Sequence, residues 1–133
     1  MGSIDDKLNG NKILIVDDEP GPRMLQKRVL ERFFPEYAIY TADNGKIASE
    51  MIEKDNYPLV ISDFDMPEMN GLELYYWIEK NKQPRPKFLL LSGDMHEERI
   101  FLLNSKGLTN YMEKPFDVPY YVSRVKNLLN GPA

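Results

Sequence analysis

Four short apolar runs in this chain each lead into acidic, hydroxyl or basic residues. Ile13-Leu14-Ile15-Val16 leads into Asp17-Asp18, and Leu59-Val60-Ile61-Ser62 into Asp63. Phe88-Leu89-Leu90-Leu91 leads into Ser92, and Tyr111-Met112-Glu113 into Lys114-Pro115. Stretches with helical spacing of apolar residues separate them. Runs that are apolar throughout, instead of alternating, suit parallel strands covered by helices on both faces. Strict alternation of strand and helix from Lys12 onward predicts an α/β domain: a doubly wound, five-stranded parallel sheet with right-handed crossovers. In such a sheet all carboxyl ends lie along one edge, where ligands bind at the reversal of strand order. Three carboxylates, a hydroxyl and an ammonium therefore converge on one crevice, a place for a divalent cation and a phosphoryl group.

Composition narrows the function classes. A chain of 133 residues supplies one core. A net charge of -4 argues against direct nucleic-acid binding, which needs a basic face. The absence of cysteine removes disulfides and thiolate metal sites and agrees with a reducing, cytoplasmic setting. The longest apolar stretches, of four or five residues, are far too short for a membrane span. Residues 1–11 are expected to be a polar lead-in, 12–130 a single domain, and 131–133 a C-terminal tail, with no second domain after the last helix.

Local signals place the elements. Pro20-Gly21-Pro22 breaks the chain before a helix expected to turn Leu25, Val29, Arg32 and Phe33 to one side. Ala38 to Thr41 is a second strand. Asp43-Asn44-Gly45 caps a helix with Ile47, Ala48, Met51 and Ile52 as its inward stripe. Gly71 opens a helix with Leu74, Tyr75 and Ile78 inward, and Trp77 off that stripe marks a partner surface. Asp94 and Glu97 form an expected capping box for a helix bearing Ile100, Phe101 and Leu103, with His96 exposed in its first turn and Gly107 as its stop. A short fifth strand is expected around Asn110 to Glu113. Asp117 caps the last helix, whose Val118, Tyr121, Val122, Val125, Leu128 and Leu129 give the clearest helical period in the chain.

At the crevice, Asp17, Asp18 and Asp63 repel one another unless a proton or a cation intervenes. Mg²⁺ suits such a site, keeping several waters alongside few carboxylates. Lys114 supplies a compact ammonium opposite, completing a clamp for phosphoryl oxygens. An Asp carboxylate can itself attack phosphorus to give an acyl phosphate, and Asp63 sits centrally for that role. Gly93 leaves open space beside Ser92.

Asp17-Asp18, Asp63-Phe64-Asp65-Met66-Pro67-Glu68-Met69-Asn70-Gly71, Leu91-Ser92-Gly93 and Lys114-Pro115-Phe116, in that order at strand ends, resemble the receiver domain of two-component response regulators from Lys12 to Asn130. The resemblance implies the flavodoxin-like strand order 2-1-3-4-5. It implies that Asp63 is phosphorylated by a sensor histidine kinase or phosphotransfer protein in a Mg²⁺-dependent reaction, with Mn²⁺ admissible. Asp18 and Asp63 then bind the metal directly, Asp17 supports it, and the backbone carbonyl of Asp65 completes the set. Ser92 and Lys114 engage the phosphoryl oxygens. Tyr111 swings inward as Ser92 moves, switching the face formed by the fourth helix, fifth strand and fifth helix. Asp65 and Asp94 flank the path of attacking water and tune dephosphorylation, although Asp94 also suits an N-cap. The resemblance further implies a cis Lys114-Pro115 bond, an output domain or effector protein, and a phosphorylation-dependent dimer. It implies self-phosphorylation chemistry and no dedicated enzyme.

The order of residues bears on two rival readings. Asp63-Phe64-Asp65 also resembles the Asp-x-Asp of haloacid-dehalogenase-type phosphatases, but that family carries it on its first strand, with its acidic pair later. A flavin-binding protein of the same topology would need a Ser-, Thr- and Gly-rich phosphate loop after the first strand. Here that loop is Asp17-Asp18-Glu19-Pro20.

Overall fold

The computed structural model describes residues 10–131. Five parallel strands form one sheet in the order β2-β1-β3-β4-β5. The chain alternates β1 (Lys12–Val16), α1 (Pro20–Phe33), β2 (Ala38–Ala42), α2 (Gly45–Lys54), β3 (Leu59–Asp63), α3 (Gly71–Asn81), β4 (Lys87–Ser92), α4 (Glu97–Ser105), β5 (Tyr111–Glu113) and α5 (Val118–Asn130). This is the expected doubly wound architecture. The expected lead-in lies outside the described residues except for residues 10 and 11, and of the expected tail only Gly131 is described. Among the described residues no helix is long and apolar enough to cross a membrane.

Side-chain alternation along the strands builds two cores. Ile13, Ile15, Leu59, Ile61, Leu89 and Leu91 face α1 and α5, meeting Leu30, Tyr121 and Val125. Leu14, Val16, Val60, Phe88 and Leu90 face the other way, meeting Ala48 and Ile52 of α2, Leu74 and Ile78 of α3, and Leu103 of α4. Burial on both faces explains why these strands lack alternation in sequence. Each fully buried aliphatic side chain contributes on the order of 1.5–3 kcal/mol.

The caps follow short polar side chains. Asn44 accepts from Ile47 N at 2.7 Å, and Asp117 accepts from Tyr120 N at 2.7 Å. Asn70 and Glu73 form a reciprocal capping box at the start of α3. Gly71 is needed for packing: a Cβ there would lie 2.5 Å from the Asp63 carbonyl oxygen and 2.6 Å from Leu90 Cδ1. The loop after β3 can thus fold tightly back against the strand end. Gly107 takes φ +85° just past α4, a left-handed stop that favours glycine.

Several local expectations need correction. Pro20 and Gly21 belong to the first turn of α1, where prolines omit no hydrogen bond. Leu25 and Phe33 are 54% and 50% exposed, and Arg32 is exposed, because α1 turns Gln26 and Leu30 toward the sheet. Ile47 is likewise exposed, its place inward taken by Ser49 beside Ala48 and Ile52. Trp77 is half-buried against the α2–α3–α4 core, so packing accounts for it. The N-cap of α4 is His96, whose Nδ1 accepts from Arg99 N at 3.1 Å, in place of Asp94. Phe101, expected inward, is 75% exposed and Leu103 alone is buried from that helix. The cis Lys114-Pro115 bond, by contrast, is as the resemblance implies, and Gln83-Pro84 is cis as well.

Candidate functional site

The carboxyl ends of β1, β3, β4 and β5 meet on either side of the strand-order reversal. Asp17 continues β1 by one residue, donating its N–H to the Ala42 carbonyl at 3.1 Å. Its Oδ1 accepts from Glu19 N at 3.0 Å, shaping the turn into α1, while Arg23 Nη1 donates to its carbonyl at 2.8 Å. Asp63 is the last residue of β3, and its Oδ1 accepts from Phe64 N at 3.1 Å. Lys114 continues β5, donating its backbone N–H to the Ser92 carbonyl at 2.8 Å. Register alone therefore carries residues separated by up to 97 positions to one edge.

One carboxylate oxygen from each of Asp17, Asp18 and Asp63 lies within 4.8 Å of the others. Asp17 and Asp63 are buried and Asp18 is exposed, so the cluster opens to solvent on one side. Lys114 Nζ stands 3.3 Å from Asp63 Oδ1 and 3.4 Å from Asp17 Oδ2. Burial pushes the Asp63 carboxyl up to about 6; Lys114 opposes this, and Asp17 and Asp65 add to it. Burial pulls the Lys114 ammonium down, but Asp63 and Asp17 outweigh it and hold it above its ordinary range. When all are ionised, one ammonium faces three carboxylates and two negative charges remain uncompensated. An oxygen-only donor set with that deficit, open on one side for water, fits a hard divalent cation.

The other expected site residues are placed around this cluster. Ser92, the last residue of β4, is buried, and its Oγ accepts from Asp94 N at 3.2 Å and donates to the Asp94 carbonyl at 3.3 Å. Asp65 and Asp94 are exposed, Asp65 lying 3.6 Å from Arg99 and Asp94 lying 3.8 Å from His96. Tyr111 is half-buried on β5, with its hydroxyl 3.3 Å from Asn104 Oδ1 of α4. That bond ties it to α4.

Three contributors escaped sequence reasoning. Gln26, only 2% exposed, accepts from the Tyr121 hydroxyl at 2.9 Å and reaches Asp17 Oδ2 with Nε2 at 3.5 Å. A buried polar chain thus runs from α5 through α1 to the acidic cluster. Its one sequence signal is a Gln four residues before Leu30, in an otherwise buried row. Arg23 supports the turn after β1. Arg99 donates from α4 to Ser92 Oγ at 2.8 Å, and nothing in local spacing announces it.

Known proteins share this fold. A family model described as the response regulator receiver domain matches residues 13–126. The transcriptional regulatory protein SrrA of Staphylococcus aureus is 37% identical over 119 residues, covering 90% of this chain and 48% of that protein. The chain therefore spans about half the length of that relative. The response regulator protein TrrA of Thermotoga maritima, solved in complex with Mg²⁺-BeF, is 37% identical with a TM-score of 0.77, covering 90% of this chain and 99% of that one. The signal receiver domain of a signal transduction histidine kinase from Syntrophus aciditrophicus is 30% identical with a TM-score of 0.79, covering 91% of each chain. The haloacid-dehalogenase alternative finds no support in these matches. With its fold, its acidic cluster and its relatives in agreement, the chain belongs to the response regulator receiver domain family of two-component signalling.

Proposed function

We propose that residues 12–130 act as a phosphoacceptor switch in which the Asp63 carboxylate takes a phosphoryl group from a phosphohistidine. The observation that carries this is the trio of carboxylates facing the single ammonium of Lys114 at 3.3–3.4 Å. An Asp63 carboxylate oxygen forms the bond to phosphorus as the P–N bond of the donor breaks, and the departing imidazole regains its proton from solvent. Asp18 and Asp63, supported by Asp17 and the carbonyl of Asp65, would hold Mg²⁺ or Mn²⁺. When bound, the cation supplies charge neutralisation for the transferring group. Lys114 orients a phosphoryl oxygen, and its bond to Asp17 keeps it poised while Asp63 is unmodified. The buried setting of Asp63 limits water at the acyl phosphate, with Asp65 and Asp94 at the rim tuning its hydrolysis.

The phosphoryl group adds a charge of about -1.5 to -2. That charge draws the Ser92 hydroxyl toward it, and Tyr111 moves inward, remodelling the α4–β5–α5 face. The donor would be a sensor histidine kinase or phosphotransfer protein. The receiver of the signal would be an output domain, an effector protein or a second phosphorylated copy, in a cytoplasmic setting and without dedicated enzyme turnover. The Mg²⁺-BeF complex of the Thermotoga relative supports the metal and phosphoryl assignments.

Incubation with acetyl phosphate and Mg²⁺ tests the site by intact mass. Addition of one phosphate to the wild-type chain, and none to Asp63→Asn, is expected. Equal labelling of that variant moves the phosphoacceptor elsewhere.

A further inference from the structure

Arg99 joins three separate segments at the rim of the acidic cluster. Its backbone belongs to the first turn of α4, where its N–H is capped by His96 Nδ1 at 3.1 Å. Its Nη1 donates to Ser92 Oγ at 2.8 Å and lies 3.6 Å from Asp65 Oδ2. The guanidinium carbon sits 4.0 Å from the centre of the Phe64 ring, and the side chain is only 17% exposed. Stacking, an ion pair and a hydrogen bond thus hold the planar fork in one orientation.

The Ser92 hydroxyl is fully engaged in this orientation. It offers one proton and two lone pairs. The proton goes to the Asp94 carbonyl, and the lone pairs accept from Asp94 N and Arg99. To donate to a phosphoryl oxygen on Asp63, the hydroxyl must leave the Asp94 carbonyl and break or drag the Arg99 bond. Arg99 itself faces Ser92, Asp65 and Phe64, whereas Asp63 answers to burial and to the charges of Lys114, Asp17 and Asp65. The helix that carries Arg99 is lightly anchored, with Leu103 its single buried residue.

We propose that Arg99 is a positioning residue that latches the Ser92 hydroxyl in its resting orientation and ties the state of the phosphoacceptor site to α4. This rests on the phosphoacceptor reading of Asp63. Displacement of Ser92 pulls on α4 through Arg99, a route to that helix separate from the movement of Tyr111. The resting latch opposes the phosphorylated state, so its removal favours that state.

Titration of the whole chain with beryllium fluoride and Mg²⁺, followed by calorimetry, tests the latch. Arg99→Ala is expected to bind the phosphoryl mimic about tenfold tighter than wild type, the scale of one hydrogen bond from a charged donor. Arg99→Gln, which keeps the reach without the charge, is expected to fall between the two and serves if the alanine variant folds poorly. Weaker binding in both variants, as a structural lesion or a direct phosphoryl contact would give, overturns the latch, as does unchanged binding. Hydrogen exchange without the mimic supplies a second readout: Arg99→Ala is expected to accelerate amides of residues 97–105 severalfold while β1 and β3 stay unchanged, and equal protection of those amides counts against the proposal. If wild type binds no mimic at all, the phosphoacceptor reading fails and the latch falls with it. If wild type binds and the variants do not tighten, only the latch fails.

Discussion

Asp63 is a carboxyl group that the fold makes uncomfortable. Its ordinary value is 3.8, and burial, opposed by Lys114 and reinforced by Asp17 and Asp65, raises it to about 6. Between those two pH values the folded chain holds a proton that the unfolded chain has released. Stability without metal therefore falls as pH rises from about 4 to about 6 and stays low above that. Asp63→Asn is expected to stabilise the metal-free protein at pH 7.5 by roughly 2–3 kcal/mol. The gain should shrink toward zero near pH 4. Urea unfolding in chelator at both pH values checks this, and an identical difference at the two would show that titration of Asp63 is not its source. The same strain that weakens the metal-free fold favours whatever neutralises the cluster, which links stability to function at a single residue.

At the scale of elements, α1 and α5 are joined by more than apolar contact. Tyr121, fully buried and stacked on Phe116 at 4.5 Å between ring centres, donates its hydroxyl to Gln26. Tyr121→Phe leaves the Gln26 oxygen buried without its donor, at an expected cost of about 1–3 kcal/mol. Gln26→Leu strands the Tyr121 hydroxyl in turn. The double variant Gln26→Leu with Tyr121→Phe is expected to recover most of either loss, because neither orphaned group then remains. Additive losses in a double-mutant cycle by chemical denaturation would refute the pairing. The last helix was the most legible in sequence, since its apolar period is long and its cap is an Asp. The first was misjudged, because Leu25 and Phe33 carry the hydrophobicity while Gln26 occupies the inward row. Hydrophobicity marks what can be buried, and polar satisfaction across two helices decides what is.

Across the whole molecule, stability is unevenly distributed. β1, β3 and β4 lie inside the sheet and are buried along nearly their full length. β5 is a three-residue edge strand, and the preceding α4 buries one residue. Hydrogen exchange of the unmodified chain is expected to be slowest in the three central strands and fastest among ordered elements in residues 97–113. Uniform protection across both regions would contradict this ordering. Residues 97–113 are tied to Ser92 by Arg99 and to each other by the Tyr111–Asn104 hydrogen bond, and a rearrangement there disturbs little buried surface.

What the linear string determined by itself was the alternation of strands and helices, the sheet's continuous burial, and which polar residues stand at strand ends. Those follow from local periodicity and from the rule that parallel strands share a carboxyl edge. Only the tertiary structure decided that Gln26 belongs to the interior, that His96 caps α4, and that Arg99 grips Ser92. Gln26 depends on Tyr121, 95 residues away, and the grip of Arg99 on Ser92 depends on how α4 meets the end of β4, while the His96 cap is a local contact set by where α4 begins. A buried polar group is tolerated only where a second element brings its hydrogen-bond partner, and no local pattern encodes that meeting.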